Sequence, residues 1–143
     1  MSSPSDLQQP QVDQRHLRRQ RLVQSLFAQT FKESQLTNSP TLSSNHLPFD
    51  ESSKEDVKAI LQNLAEIDAK LQQFAPERPL ANINQVDLAI LRAIYWESIT
   101  KDTPFKVLID EAVELAKELG SDSSSRFVNG VLGKLLVEEE KVA

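Results

Sequence analysis

The sequence predicts an all-α fold, and three observations support this prediction. Only three glycines occur among the 143 residues, and no segment alternates apolar and polar residues as a half-buried strand does. Five stretches instead repeat apolar residues at three- and four-residue steps, which is the spacing of one helix face. A chain of this length can bury a core without disulfides or metals. We therefore expect one helical domain over residues 15–140.

The first two predicted helices are amphipathic and are separated by a polar segment. The first covers about residues 15–33 and the second about residues 53–74. Residues 34–52 are rich in Ser, Asn, Thr and Pro, a composition that predicts a flexible loop. Ser53 and Asp56 have the spacing of a capping box, which predicts that Ser53 caps the second helix.

The remaining three predicted helices lie close together in the sequence. The third, about residues 84–99, is apolar nearly all round, which indicates a central buried helix. The fourth begins at Pro104, a residue favoured in a first turn, and ends at Gly120 as a C-terminal cap. The fifth covers about residues 125–139 and contains Gly130. Because glycine costs about 0.5–1 kcal/mol in a helix relative to alanine, Gly130 predicts the close approach of another helix.

Composition excludes several classes of protein and site. Residues 1–14 form a polar leader without the apolar region of a secretory signal, and no apolar run is long enough to span a membrane. The absence of cysteine excludes disulfides, thiolate metal sites and cysteine nucleophiles. The two histidines, His16 and His46, stand in polar contexts, so we expect no zinc or iron site and no cofactor. These features are typical of a cytoplasmic globular protein.

Positive charge is concentrated at the start of the first predicted helix. Seven residues there contain one histidine, His16, and four arginines: Arg15, Arg18, Arg19 and Arg21. The whole chain has 16 basic and 21 acidic side chains, of which 12 basic and 19 acidic ones belong to residues 22–143. Cations at a helix N-terminus oppose the helix dipole by about 0.3–1 kcal/mol each, whereas a bound phosphate would reverse that sign. The cluster predicts an arm that projects past the core and binds a polyanion; a solvated helix end is the alternative.

Catalysis is not expected from this sequence. Glu111, Glu114 and Glu118 have the spacing of a carboxylate cluster, but the same spacing gives a solvated helix face. The chain has no glycine-rich phosphate loop, no serine–histidine arrangement and no thiol. We therefore predict that the protein is not an enzyme.

Several short segments occur together in one known family. The C-terminal half contains DLAILR at 87–92, TPFKV at 103–107, EAVELAK at 111–117 and FVNGVL at 127–132. The first helix adds RRQRLVQSLF at 18–27. On these residues the chain, over roughly 15–136, resembles the NusB family of bacterial transcription antitermination factors. Leu17 and His16 stand where basic residues are common in the family.

The resemblance implies a fold and a set of partners. It implies an all-helical bundle of two packed helical subdomains that binds the boxA element of ribosomal RNA leader transcripts together with the ribosomal protein NusE. That assembly joins the RNA polymerase antitermination complex. The implied RNA is single-stranded, since unpaired bases are open to stacking and to amide contacts.

The resemblance also assigns roles to individual residues, each with a structural alternative. It implies RNA contacts for the four arginines, for Gln24 and for Phe127, although Gln24 would otherwise be a surface residue and Phe127 a core aromatic. It implies NusE contacts for Phe27 and Asp87. The position of Phe27 on the edge of the apolar stripe favours core packing, and a carboxylate at the start of a helix is favourable through the helix dipole.

Two other functions remain open. One is a helical protein-interaction module that does not bind RNA. The other is a detached RNA-binding module of the kind that precedes ribosomal RNA cytosine methyltransferase domains. Since the sequence ends at Ala143 without a methyltransferase domain, we expect the antitermination factor rather than that module.

Overall fold

A computed structural model describes residues 13–35 and 51–142, and within these ranges it contains α-helices and no strand. The six helices are α1 Gln14–Gln35, α2 Glu51–Gln62, α3 Leu64–Gln73, α4 Gln85–Thr100, α5 Phe105–Leu119 and α6 Ser124–Val142, with a short 3₁₀ turn at Leu80–Asn82. The prediction of an all-α fold is confirmed. Most of the predicted leader and loop lies outside the described residues, although α1 and α2 each extend one or two residues into those segments.

The central helix is α4, as its apolar pattern predicts. Ten of its 16 residues are buried, and it packs against each of the other five helices. Three of the buried residues are charged, namely Asp87, Arg92 and Glu97, and the last two have a partner on a neighbouring helix. Arg92 donates to both carboxylate oxygens of Asp68 on α3 at 2.8 and 2.7 Å, and Glu97 accepts from Arg19 on α1. Ion pairs therefore accompany apolar packing in fixing α1 and α3 to α4.

The predicted second helix is wrong as one continuous element, because it is divided at Asn63 into α2 and α3. The side-chain amide of Asn63 donates back to the carbonyl oxygen of Ala59 at 2.8 Å, and the backbone at Asn63 has φ −111° and ψ 17°. An asparagine amide that competes for a helix carbonyl favours such a break. The predicted cap is also wrong, since α2 begins at Glu51 and Ser53 lies buried in its first turn.

The glycine that ends α5 is closely packed, whereas Gly130 in α6 has open space beside it. Gly120 ends α5 as predicted, with its N–H bonded to the carbonyl of Ala116. A Cβ there would collide with the Ser124 hydroxyl and lie 2.6 Å from the Ser124 Cβ, so close packing of the turn requires glycine. Gly130 is exposed, and an added Cβ would meet no atom of the described chain within 4 Å. The predicted close approach of a helix at Gly130 is therefore wrong.

None of the helices in the described ranges is long and apolar enough to cross a bilayer.

Candidate nucleic-acid interface

The basic segment, residues 15–21, forms the first two turns of α1, and its side chains divide into two groups. Arg15, Arg18 and Arg21 are exposed, whereas His16 and Arg19 face neighbouring helices. This division agrees with the helical period, because residues three apart are neighbours on one side of a helix, and the members of each group are three residues apart. The expected projecting arm is therefore wrong for the inward-facing side chains, which hold the segment against α4 and α5.

Arg19 is bound to α4 by a bidentate ion pair. Its Nε donates to Oε1 of Glu97 at 2.8 Å and its Nη2 to Oε2 at 2.8 Å. Thr103 donates a third hydrogen bond to Glu97 Oε2 at 2.7 Å. Burial raises the pKa of Glu97, but the hydrogen bonds from Arg19 and Thr103 outweigh it, so the pKa is lowered overall. The positive charge of Arg19 is thus largely compensated within the fold by Glu97.

His16 is held between two carboxylates of α5. Its Nδ1 lies 2.6 Å from Oε2 of Glu111, and its Nε2 lies 2.7 Å from Oε1 of Glu118. Gln20 donates to the other oxygen of Glu118 at 3.0 Å. Burial lowers the pKa of His16, but the hydrogen bonds to Glu111 and Glu118 raise it more, so the pKa is raised overall. Both ring nitrogens can donate only in the imidazolium form.

These acidic partners were not assigned from the sequence. The sequence predicts Glu111 and Glu118 as part of a solvated face, and it assigns Glu97 no role beyond the family resemblance. They are 78 to 102 residues away from the basic segment in the sequence, so no local pattern relates them to it. Glu114 and Glu118 do match their predicted exposure, and Glu114 has only a long contact of 3.8 Å to Lys117.

The predicted partner-binding residues lie on α1 and α4. Phe27 is half-buried and stacks on Phe31 with the ring centroids 5.6 Å apart, and Phe31 is 45% exposed. Asp87 is the third residue of α4, behind the helix cap at Asn84, and is only 3% exposed. Its Oδ1 is fully buried and has no hydrogen-bond partner within the part of the chain that the structure describes. An unpaired buried oxygen of this kind is costly, so the position of Asp87 calls for an explanation.

The predicted RNA-binding residues outside the basic segment have different surroundings. Gln24 is exposed on α1, as expected. Phe127 is half-buried near the start of α6, and the guanidinium of Arg78 lies 4.9 Å from its ring centroid. A groove of about 420 Å³ runs beside this pair and is also lined by Arg126 and Lys134. Phe127 is therefore an aromatic side chain at a cationic groove and only in part a core residue.

Among the residues with described positions, no group of three or more His, Asp or Glu side chains is placed to hold a metal ion. The exposed arginines and the amide of Gln24 lie on α1, and Phe127 lies beside Arg78 at another groove; these groups suit phosphates and bases.

Comparison with known proteins identifies the family of this chain. It is 47% identical to Transcription antitermination protein NusB of Acetivibrio thermocellus over 81 residues, 56% of each chain. It is 44% identical to the protein of that name from Photobacterium profundum over 79 residues, 54% of this chain and 52% of the relative. For Alkaliphilus oremlandii the identity is 43% over 96 residues, 64% of this chain and 70% of the relative. The chain thus spans about half the length of the first two relatives.

A solved structure supports the same assignment. NusB of T. maritima superposes with a TM-score of 0.72 and 28% identity, covering 91% of this chain and 97% of that one. The model of the NusB family matches residues 16–136, which is most of the sequence. The chain belongs to the NusB family.

Proposed function

We propose that this protein is a transcription antitermination factor that binds boxA-type single-stranded RNA together with NusE and acts in the RNA polymerase antitermination complex. The observation that carries the proposal is the division of the basic segment. Arg19 is paired with Glu97, and His16 is hydrogen-bonded to Glu111 and Glu118. These contacts fix α1 so that the side chains of Arg15, Arg18 and Arg21 lie on its exposed side. Guanidinium groups on a fixed helix are well suited to phosphates.

The bases of the RNA require a second kind of contact. Phe127 offers a ring for stacking, and the cations Arg78, Arg126 and Lys134 at its groove attract the adjoining phosphates. Gln24 is exposed and carries an amide that can read an unpaired base edge. We assign the exposed arginines, Gln24 and Phe127 to the RNA, and we assign Arg19 to the RNA surface as a residue that positions the basic segment.

We assign NusE binding to Phe27 and Asp87. Asp87 has a buried carboxylate oxygen without a partner among the described residues, and a donor from NusE would satisfy it once the side chain turns toward the surface. Phe27 stacks on Phe31, whose ring is 45% exposed and offers an apolar contact. Asp87→Asn should weaken NusE binding tenfold or more, because a buried hydrogen bond to a charged group contributes about 1.5–3 kcal/mol. RNA affinity of the isolated protein should not change.

Charge reversal of the exposed arginines tests the RNA assignment. In the triple variant Arg15→Glu, Arg18→Glu, Arg21→Glu, fluorescence anisotropy with labelled boxA RNA should show at least a hundredfold loss of affinity. The matched control is Lys58→Glu with Lys106→Glu, which reverses exposed charges on α2 and α5. NusE pull-down should be unaffected in both proteins. A triple variant that binds RNA normally would show that the exposed arginines are not the RNA site, whereas an original protein that captures NusE but binds no boxA RNA would be a protein-interaction module.

A further inference from the structure

A cavity of about 210 Å³ lies beside the exposed arginines, and it is also lined by Lys101, which is distant from them in the sequence. It is formed by the first turns of α1 and α2 and by the end of α4 with the loop that follows. Its lining includes two exposed arginines, Arg15 and Arg18, together with Lys101, which directly follows α4. The cavity therefore gathers cations from two separate parts of the chain.

The charge balance in this cavity is positive. The charge of Arg19 is compensated by Glu97, which also lines the cavity. The remaining cations are Arg15, Arg18 and Lys101, and the one remaining carboxylate is that of Asp56. Lys101 Nζ lies 3.8 Å from Asp56 Oδ2, and the Lys101 side chain is 53% exposed, so the two are only loosely paired. A positive balance at a partly enclosed site attracts a phosphate group.

A neighbouring cavity of about 380 Å³ provides a contrast. It shares Arg15 and Arg19 with the first cavity, but its other charged residues are the acidic Asp13, Asp102 and Glu111. A phosphate there would meet more carboxylates than cations. The fold thus makes one side of the basic segment attractive to an anion and the other side repulsive.

The N-terminal end of α2 adds to this preference. Ser53 lies in the first turn of that 12-residue helix and lines the positively charged cavity. The first turn of a helix carries partial positive charge and backbone N–H groups without intrahelical acceptors. This end of α2 therefore reinforces the side-chain cations.

We propose that this cavity is the seat of one phosphodiester group of the bound single-stranded RNA, and that Lys101 is an RNA-binding residue together with Arg15 and Arg18. This assignment rests on the proposed function, because it takes the RNA as the ligand. It directs the strand across the N-terminal ends of α1 and α2 and away from the acidic cavity. Asp56 then weakens binding by holding Lys101 and by repelling the phosphate.

The test compares Lys101→Gln with Lys106→Gln, which removes an exposed lysine that is not among the residues lining either cavity. Affinity for a labelled single-stranded boxA RNA is measured from 50 to 200 mM NaCl. One phosphate contact with a single strand contributes about 0.7 to the slope of log affinity against log salt. Lys101→Gln should lower the slope by that amount and weaken binding about eightfold at 50 mM salt and about threefold at 200 mM. Lys106→Gln should match the original protein.

A second variant gives a change of the opposite sign. Asp56→Asn should strengthen RNA binding about two- to threefold at 50 mM salt, whereas Asp122→Asn, on the exposed turn before α6, should have no effect. If Lys101→Gln and Asp56→Asn leave affinity and slope unchanged while the triple arginine variant loses RNA, the phosphate seat is refuted and the proposed function stands. If the triple variant also binds normally, the assignment of the exposed arginines to the RNA is refuted; if the original protein does not bind boxA RNA, the proposed function itself is refuted. Thermal unfolding followed by circular dichroism verifies that each variant is folded.

Discussion

Arg19 and Glu97 meet through two parallel hydrogen bonds of 2.8 Å, and this pair joins the basic end of α1 to the central helix α4. The side chains are only 13% and 11% exposed. An arginine in the middle of a presumed RNA-binding cluster therefore has a structural partner. Arg15 and Arg18 are four residues and one residue before Arg19, and yet both are exposed to solvent.

Loss of this pair should destabilise the fold. Arg19→Gln leaves the Glu97 carboxylate buried with fewer donors, and removing one partner of a buried pair costs about 3 kcal/mol. Urea denaturation should show this decrease in the free energy of unfolding. Arg18→Gln is the matched control, and its exposed position predicts a change within about 0.5 kcal/mol. Equal stabilities of the two variants would mean that the Arg19–Glu97 pair does not anchor α1.

The contact of His16 with Glu111 and Glu118 should make stability depend on pH. The pKa of His16 is raised above its ordinary value of 6.5 in the folded protein, so the folded state binds this proton more tightly than the unfolded chain does. The resulting stabilisation is complete below pH 6.5 and is lost as the pH rises through the raised pKa. Urea midpoints measured from pH 6 to pH 8.5 should fall for the original protein.

His16→Gln should remove most of this dependence. His46→Gln is the control, because it deletes the second histidine of the chain and should retain the fall. If the His16→Gln variant shows the same decline between pH 6 and pH 8.5 as the original protein, another group is responsible.

Gly133 and Gly120 should respond differently to alanine. Gly133 lies within α6, and an added Cβ would meet no described atom within 4 Å, so Gly133→Ala should raise the free energy of unfolding by about 0.5–1 kcal/mol through helix propensity. Gly120→Ala should lower it, because the new Cβ collides with Ser124. Chemical denaturation of the two variants measures whether each substitution raises or lowers the free energy of unfolding. A stabilised Gly120→Ala would show that the turn before α6 can open without cost.

Phe127 should contribute to RNA affinity without contributing to its salt dependence. Stacking of a base on an aromatic ring contributes about 1–3 kcal/mol, so Phe127→Ala should weaken RNA binding by about 5- to 150-fold. The slope against salt should stay unchanged, in contrast to the arginine and lysine variants. Phe127→Tyr should restore most of the affinity. Loss of stability with unchanged RNA affinity would show that Phe127 is a core residue and not a stacking platform.

Much of the fold could be predicted because it is local. Apolar spacing identifies the helices, and the all-round apolar pattern of residues 84–99 identifies the central one. The break at Asn63 was missed because the apolar period continues through it, and only the side-chain bond to Ala59 reveals the competition for a carbonyl. Gly130 was misinterpreted because a helical glycine has the same sequence signature whether a neighbour packs against it or solvent does.

The candidate site was predicted less completely. The sequence draws attention to the arginines as a group, but it does not separate Arg19 from Arg18. It also does not relate Lys101 to them, because Lys101 reaches the same cavity from a distant part of the chain. The missing hydrogen bond at the buried Oδ1 of Asp87 likewise cannot be read from the sequence, because it depends on where the donors of the described residues lie.

By itself the sequence determined the helical class, the concentration of positive charge before Leu22 and the resemblance that led to the NusB family. Each of these depends on residues that are near one another in the chain. The tertiary structure alone decided which of those charges are exposed, since the carboxylates that neutralise Arg19 and His16 come from 78 to 102 residues away. A helix period sets the direction of a side chain, but only the packing of other helices decides whether a carboxylate or solvent lies in that direction.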